Sequence, residues 1–258
     1  MLLRAALFDV GDTLVDTAAM PEDLDELLRE ALRREFGERD WYARWISGKI
    51  GPPRSAERDL AAIAAGDEEI FRQETIRWYE EWFRNAAIGI DDIDVDRLRS
   101  TMCVPLDRVT TPVVGALDAV RWCKAKGLTV VLVSNTLSRG DEESWVDVRR
   151  LGLADAVDAV VTSHSVGWQK PHRRIFERAL ELAGVRAEEA VMVGDRLLAD
   201  MWGAKRLGMR AVLRRTAAHD QAQVEVRPDA VIDDLTELAG VLTAWLSVPT
   251  AHRTSREG

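Results

Sequence analysis

The sequence predicts an α/β fold: a parallel sheet covered by helices on both faces, with an all-helical segment inserted after the first strand. Three observations carry that reading. Short, continuous apolar runs recur between stretches of helical spacing, the pattern of strands buried on both faces. The first run, residues 5–10, is followed by a long region without strand alternation. After Thr111 the rhythm turns to strand then helix, as in a crossover-connected parallel sheet.

Each element follows from local pattern. Ala5 to Val10 reads as a buried strand closed by an acid and Gly11. From Pro21 to Met102, apolar residues fall at helical spacing: Leu24, Leu27, Leu28, Ala31 and Leu32, then Ile70, Phe71, Thr75, Trp78 and Trp82. Gly51-Pro52-Pro53 breaks that region with a stiff loop. Pro112 is expected to open a helix that ends before Gly127. Residues 128–134, 157–162, 190–193 and 211–213 read as further strands, and Val231-Ile232 as a last short one. Helices are expected at His172–Ala183, Arg196–Leu207 and Leu235–Leu246, followed by a polar, frayed tail. The expected organisation is a split core of residues 1–15 and 111–247, an insertion of 16–110, and a tail of 248–258.

Composition narrows the classes of function. With 35 Lys and Arg against 44 Asp and Glu, the formal charge is −9. That acidic balance, without a basic stripe, argues against nucleic acid or an anionic membrane as partner. A local basic pocket for a small anion stays compatible with it. Two cysteines cannot staple 258 residues and suit a reducing cytoplasm. The uncharged apolar stretch Gly127 to Leu137 is too short to span a bilayer. The N-terminal apolar run stops at Asp9 with no small-residue cleavage site after it, so a strand is expected rather than a signal peptide. Oligomeric state is not legible.

Ligands of such sheets sit at the carboxyl ends of the strands. Four segments belong there: Asp9-Val10-Gly11-Asp12-Thr13-Leu14, Ser134-Asn135, Lys170-Pro171, and Gly194-Asp195 with Asp200. Gathered carboxylates repel one another unless a hard cation joins them. Mg²⁺ takes oxygen ligands and readily shares a site with phosphate. A nearby lysine balances phosphoryl charge, and a carboxylate can attack phosphorus.

These four segments, in this order, resemble the motifs of the haloacid dehalogenase-like hydrolase superfamily. The resemblance implies a Rossmann-like core with a C1-type helical cap, and a phosphatase acting on a small phosphorylated metabolite. Asp9 would be the nucleophile, forming an aspartyl-phosphate, and a Mg²⁺ ligand. The Gly11 carbonyl, Asp195 and Asp200 would complete the protein's share of the metal site. Ser134 would bind the phosphoryl oxygen, Asn135 would assist through its backbone, and Lys170 would bridge phosphate and nucleophile. One position departs from the pattern. Family phosphatases usually carry an acid/base Asp two residues after the nucleophile, and here that position is Gly11. Asp12, one residue later, is the possible substitute. Weak turnover, or restriction to good leaving groups, is the expected consequence.

Other readings stand beside this one. Lys49, in the inserted region, keeps phosphonate cleavage in view. Carbon–halogen cleavage dispenses with the second acid but also with the metal. Gly11 equally suits a non-catalytic binding protein that keeps the fold. Trp41 with Trp45, and Trp78 with Trp82, are each one helical turn apart and are expected to pack the cap, with an aromatic lid as the sharper alternative. His164, His172, His219 and His252 show no ligand spacing, Cys103 and Cys123 are expected to be idle thiols, and Arg214-Arg215 a solvated face.

Overall fold

The computed structural model describes residues 2–17, 24–37, 66–86, 94–216 and 225–246. Six strands form one parallel sheet in the order β5-β4-β1-β6-β7-β8: β1 (Ala5–Phe8), β4 (Thr129–Ser134), β5 (Ala159–Thr162), β6 (Ala190–Gly194), β7 (Arg210–Arg214) and β8 (Ala230–Ile232). β1 lies between β4 and β6, with Phe8 level with Leu132 on one side and Val193 on the other. That register brings Asp9, Ser134 and Asp195 to one edge within a residue of each other. Both faces of the sheet are buried. Ala6, Phe8, Val130, Leu132 and Val193 pack on one face, beneath the helices Ala116–Ala125, Asp141–Arg150 and Leu238–Leu246. Ala5, Leu7, Val131, Val133 and Met192 pack on the other, against Arg173–Ala183. These are the continuous apolar runs of the sequence, and two-sided burial is why they do not alternate.

Helices Leu24–Phe36, Thr75–Asn85 and Val95–Thr101 lie between β2 (Val15–Asp16) and β3 (Thr111–Pro112) in the chain. They share a cluster of their own around Leu32, Tyr79, Trp82, Phe83 and Leu98. Trp78 and Trp82 meet edge to face at 4.8 Å, as packing partners. The run from Ile70 to Trp82 is not one helix. A short 3-10 turn, Glu68–Phe71, ends before Arg72, and the helix restarts at Thr75. Trp41, Trp45, Lys49, His219, His252, the break at 51–53 and the tail lie outside the described residues.

Two expectations change, and one helix is added. Pro112 does not open a helix: Thr111–Pro112 pairs antiparallel with Val15–Asp16, an edge position that tolerates proline's missing N–H. The helix begins at Ala116, after Gly115, whose positive φ of 77° and closeness to the Thr236 backbone leave no room for a side chain. Residues 196–207 are not one regular helix. Leu197–Trp202 winds as a wider π-type turn, with Met201 N–H reaching Arg196 O, before a normal turn at Gly203–Arg206. The helix Asp141–Arg150 has no strong apolar stripe and escapes periodicity. No helix among the described residues is long and apolar enough to cross a membrane.

Candidate active site

β1 ends one residue before Asp9, and the Asp9 N–H is held by Val193 O, which fixes the carboxylate at the sheet edge. Lys170 reaches the same point from the segment before helix Arg173–Ala183. Its Nζ lies 2.5 Å from Asp9 Oδ1 and 2.8 Å from Asp200 Oδ1, and donates to Val133 O at 2.7 Å. Asp9, Asp195 and Asp200 each offer a carboxylate oxygen, and these oxygens lie within 4.8 Å of one another. All three carboxyl groups and the lysine are buried.

The local sequence explains this convergence. Asp200 sits in the wide turn, a feature common at functional sites. Its Oδ2 accepts the Arg196 N–H at 3.1 Å, folding the carboxylate back over the end of β6. Gly194 is required there, since a Cβ would collide with the Asp200 carboxyl. Thr13, fully buried, donates its hydroxyl to Asp195 Oδ1 at 3.3 Å.

The charge balance decides what the cluster can hold. Three carboxylates face one ammonium in a site largely shut off from water. Burial raises the Asp195 pKa, and the charges of Asp9 and Asp200 raise it further. Burial also raises that of Asp200, against the opposing pull of Lys170. For Lys170 burial works against the charged form, but Asp200 and Asp9 outweigh it and the net shift is upward. The ammonium stays charged, and the surplus negative charge invites either a proton or a hard cation. An all-oxygen donor set of this kind fits Mg²⁺.

Asp12 stands apart from this group. It has a positive φ of 55°, and its carboxylate accepts from Thr17 N at 2.9 Å and Thr17 Oγ1 at 2.6 Å. Gly11 and Ser134 line one cavity beside the cluster. Asn135 does more than its backbone suggested. Its side-chain amide donates to Lys170 O at 3.0 Å and accepts Lys170 N–H at 2.7 Å, clamping the lysine's main chain. Arg214 is not part of a solvated face. It is half-buried at the end of β7 and donates to Asp12 O at 2.5 Å, while Arg215 is exposed and pairs with Asp233. Thr13 stands in the first of the four segments, but its bond to Asp195 and the Arg214 bond to Asp12 both act across strands, and sequence spacing states neither.

The helical insertion touches the same edge. Gln73 donates its side-chain N–H to Thr136 O at 2.6 Å, and Gln73 N and Phe71 O bond the Gly167–Gln169 stretch just before Lys170. Tyr79 Oη meets Ser138 Oγ at 2.5 Å. The buried Arg99 pairs with Asp96 and Glu143 and also donates to Ser138 O. The loops after Ser134 and before Lys170 are thus both held by the insertion.

The profile of the haloacid dehalogenase-like hydrolases matches residues 3–208. The chain belongs to this family. It is a hydrolase by that membership. It is 37% identical over 216 residues to the glyceraldehyde 3-phosphate phosphatase of Pyrococcus abyssi, covering 82% of this chain and 81% of that one. The glyceraldehyde 3-phosphate phosphatase of Methanothermobacter thermautotrophicus is 27% identical, covering 93% of this chain and all of that one (100%). Among solved structures, the 2-haloacid dehalogenase of Pseudomonas syringae pv. Tomato DC3000 superposes with a TM-score of 0.62 at 25% identity, covering 95% of this chain and 100% of that one.

Proposed function

We propose that this hydrolase is a phosphatase acting on a small phosphorylated metabolite, with Asp9 as nucleophile. The observation that carries the reading is the buried cluster of Asp9, Lys170, Asp195 and Asp200. Attack by an Asp9 oxygen on phosphorus forms an aspartyl-phosphate, and the bond to the leaving oxygen breaks with its electron pair. Water then attacks the same phosphorus, Asp9 departs as a carboxylate, and inorganic phosphate and a proton are released. Lys170 lies against Asp9 and offsets the repulsion between nucleophile and phosphoryl oxygens. Asn135 fixes the lysine's main chain, and Ser134 stands at the neighbouring strand end to take a phosphoryl oxygen. Asp9, Asp195, Asp200 and the Gly11 carbonyl would hold Mg²⁺, which when bound supplies a Lewis acid for phosphoryl charge.

Gly11 leaves the leaving group without an acid at the usual place. The Thr17 bonds turn the Asp12 carboxylate to the loop instead. The reading is therefore a phosphatase for good leaving groups, such as acyl and aryl phosphates, with slow hydrolysis of alkyl esters. Residues 16–110 serve in this reading as the cap over the site.

A panel of phosphorylated metabolites, opening with glyceraldehyde 3-phosphate and acetyl phosphate, tests it with and without EDTA. Phosphate release that stops with EDTA and with Asp9→Asn is the expected result. The likeness to a haloacid dehalogenase structure makes carbon–halogen cleavage the second reading. Halide release from a 2-haloacid that survives EDTA, with no phosphate release from any substrate, would replace the first reading with the second.

A further inference from the structure

We propose that the cavity beside Gly11 receives the apolar part of the leaving group, so that the site selects phosphate carried on a compact hydrocarbon chain over phosphate carried on a polyol. This rests on the phosphatase reading and names its substrate class. The cavity measures about 240 Å³ and is bordered by Gly11, Ser134 and Asn135, three residues of the candidate site, and by none of Asp9, Lys170, Asp195 or Asp200. Gly11 forms part of its wall. A Cβ there would meet only Thr17 Cγ2, at 3.5 Å, and Thr17 lines the same cavity. The missing side chain therefore leaves space along this wall for an occupant.

The walls define the chemistry of the occupant. Leu14, Leu106, Leu132, Val148, Leu153 and Val160 supply hydrocarbon. Apart from Ser134, which the phosphatase reading reserves for a phosphoryl oxygen, the polar side chains around them have partners within the protein. Asp147 pairs with Arg139 at 2.7 Å and accepts Leu106 N–H at 2.8 Å. Arg139 also donates to Val104 O at 2.7 Å, Ser144 to Gly140 O at 2.8 Å, and Thr17 to Asp12. Thr136 Oγ1 accepts Arg139 N–H at 3.0 Å, and the Asn135 amide is spent on Lys170. A sugar hydroxyl entering here would lose its water and gain little in return. A hydrocarbon chain loses nothing by entry. The space exceeds the roughly 150 Å³ that suffices for benzene in an apolar protein cavity.

Acyl phosphates of increasing length test the idea without changing the leaving group's acidity. Acetyl, butyryl, hexanoyl and octanoyl phosphate all release a carboxylate of similar pKa. Burial of each methylene favours binding by about fourfold. kcat/KM is expected to rise at least about tenfold from acetyl to hexanoyl, and to stop rising once the chain outgrows the space. Val148→Phe and Leu106→Phe fill the cavity and should bring the hexanoyl-to-acetyl ratio towards one. That ratio, taken within a single variant, does not depend on how much of it folds. A flat series in the wild type, or a ratio unchanged in both variants, overturns the proposal and leaves acetyl phosphate turnover to support the phosphatase reading. A binding measurement covers the opposite case. Calorimetry with methyl-, butyl- and hexylphosphonate, Mg²⁺ present, should show hexylphosphonate binding at least about tenfold more tightly than methylphosphonate. Equal affinities make the cavity a packing void and overturn the proposal even if no acyl phosphate is hydrolysed. Graded affinities without turnover uphold the cavity and remove the phosphatase reading alone.

Discussion

In the proposed mechanism, Gly11 is the residue on which the rate turns. Its backbone is not left-handed and its Cβ direction is open to within 3.5 Å of Thr17 Cγ2. Gly11→Asp is therefore sterically permitted and places a carboxyl group at the leaving-group side. Alkyl phosphate hydrolysis is expected to rise by about 10²-fold, since general acid–base help is worth roughly 10²–10⁴-fold. Acetyl phosphate, which needs no proton on departure, should change little. Steady-state kinetics on glycerol phosphate and acetyl phosphate in both proteins check this, and equal gains on the two would contradict it. A second residue reports on pH. His172 caps helix Arg173–Ala183 by accepting Arg174 N–H on Nδ1 at 3.2 Å. Burial lowers its pKa below the ordinary 6.5, and Arg174 adds to this against the pull of Glu68, Glu177 and Glu69. The unfolded chain thus takes the proton first as pH falls. The stability tied to neutral His172 is whole above about pH 6.5 and declines below it until the folded value is passed. His172→Asn keeps a capping side chain without a titrating group. Its melting temperature should fall less than the wild type's between pH 7 and 5, the remaining fall including His164, whose pKa burial also lowers. Parallel melting curves for the two proteins would exclude His172 as a source.

At the scale of elements, the joint between the insertion and the core rests on Arg99. Helix Val95–Thr101 buries its guanidinium between Asp96 and Glu143, at 2.7 and 3.0 Å. These contacts hold the Glu143 carboxyl below its usual range against the opposing effect of burial. Arg99→Ala strands Glu143 in a partly buried site and frees the Ser138 carbonyl. A loss of about 2 kcal/mol is expected, below the 3–5 kcal/mol of fully buried pairs because Asp96 is exposed. Denaturant unfolding measures it, and a change under about 0.5 kcal/mol would show that the pair is no anchor. The same joint shows where sequence reading stops. The strands were legible because two-sided burial writes an unbroken apolar run, as in Val130 to Val133. Helix Asp141–Arg150 was not, because its sequence, DEESWVDVRR, spends its inward positions on ion pairs: Asp147 is buried against Arg139. Pro112 misled for a related reason. A proline before an amphipathic run suits a helix start as well as an edge strand, and only the pairing with Val15 separates the two.

Across the whole molecule, the candidate site was legible to the extent that its residues end strands. Asp9, Ser134 and Asp195 are brought together by sheet order, and sheet order follows from crossover rules that the strand–helix rhythm already implies. Asp200 and Lys170 needed the three-dimensional turn and the Asn135 clamp to reach the same point, and no spacing rule states either. The convergence has a cost that belongs to the fold as a whole. Three buried carboxylates against one ammonium destabilise the native state unless something neutralises them, and unfolding relieves the repulsion at once. A cation bound only by the folded chain therefore stabilises it by mass action. At a hundred times its dissociation constant the gain is about 2.7 kcal/mol. For a domain of this size that corresponds to a rise in melting temperature on the order of 5 °C or more. Magnesium should raise the melting temperature saturably, and EDTA should reverse the rise. Asp195→Asn removes one charge from the cluster. It should melt at or above the metal-free wild type while losing most of the response to magnesium. That pairing, higher intrinsic stability with lower metal response, separates a metal centre from a structural ion-pair network, in which the same substitution destabilises and magnesium has no effect in either protein.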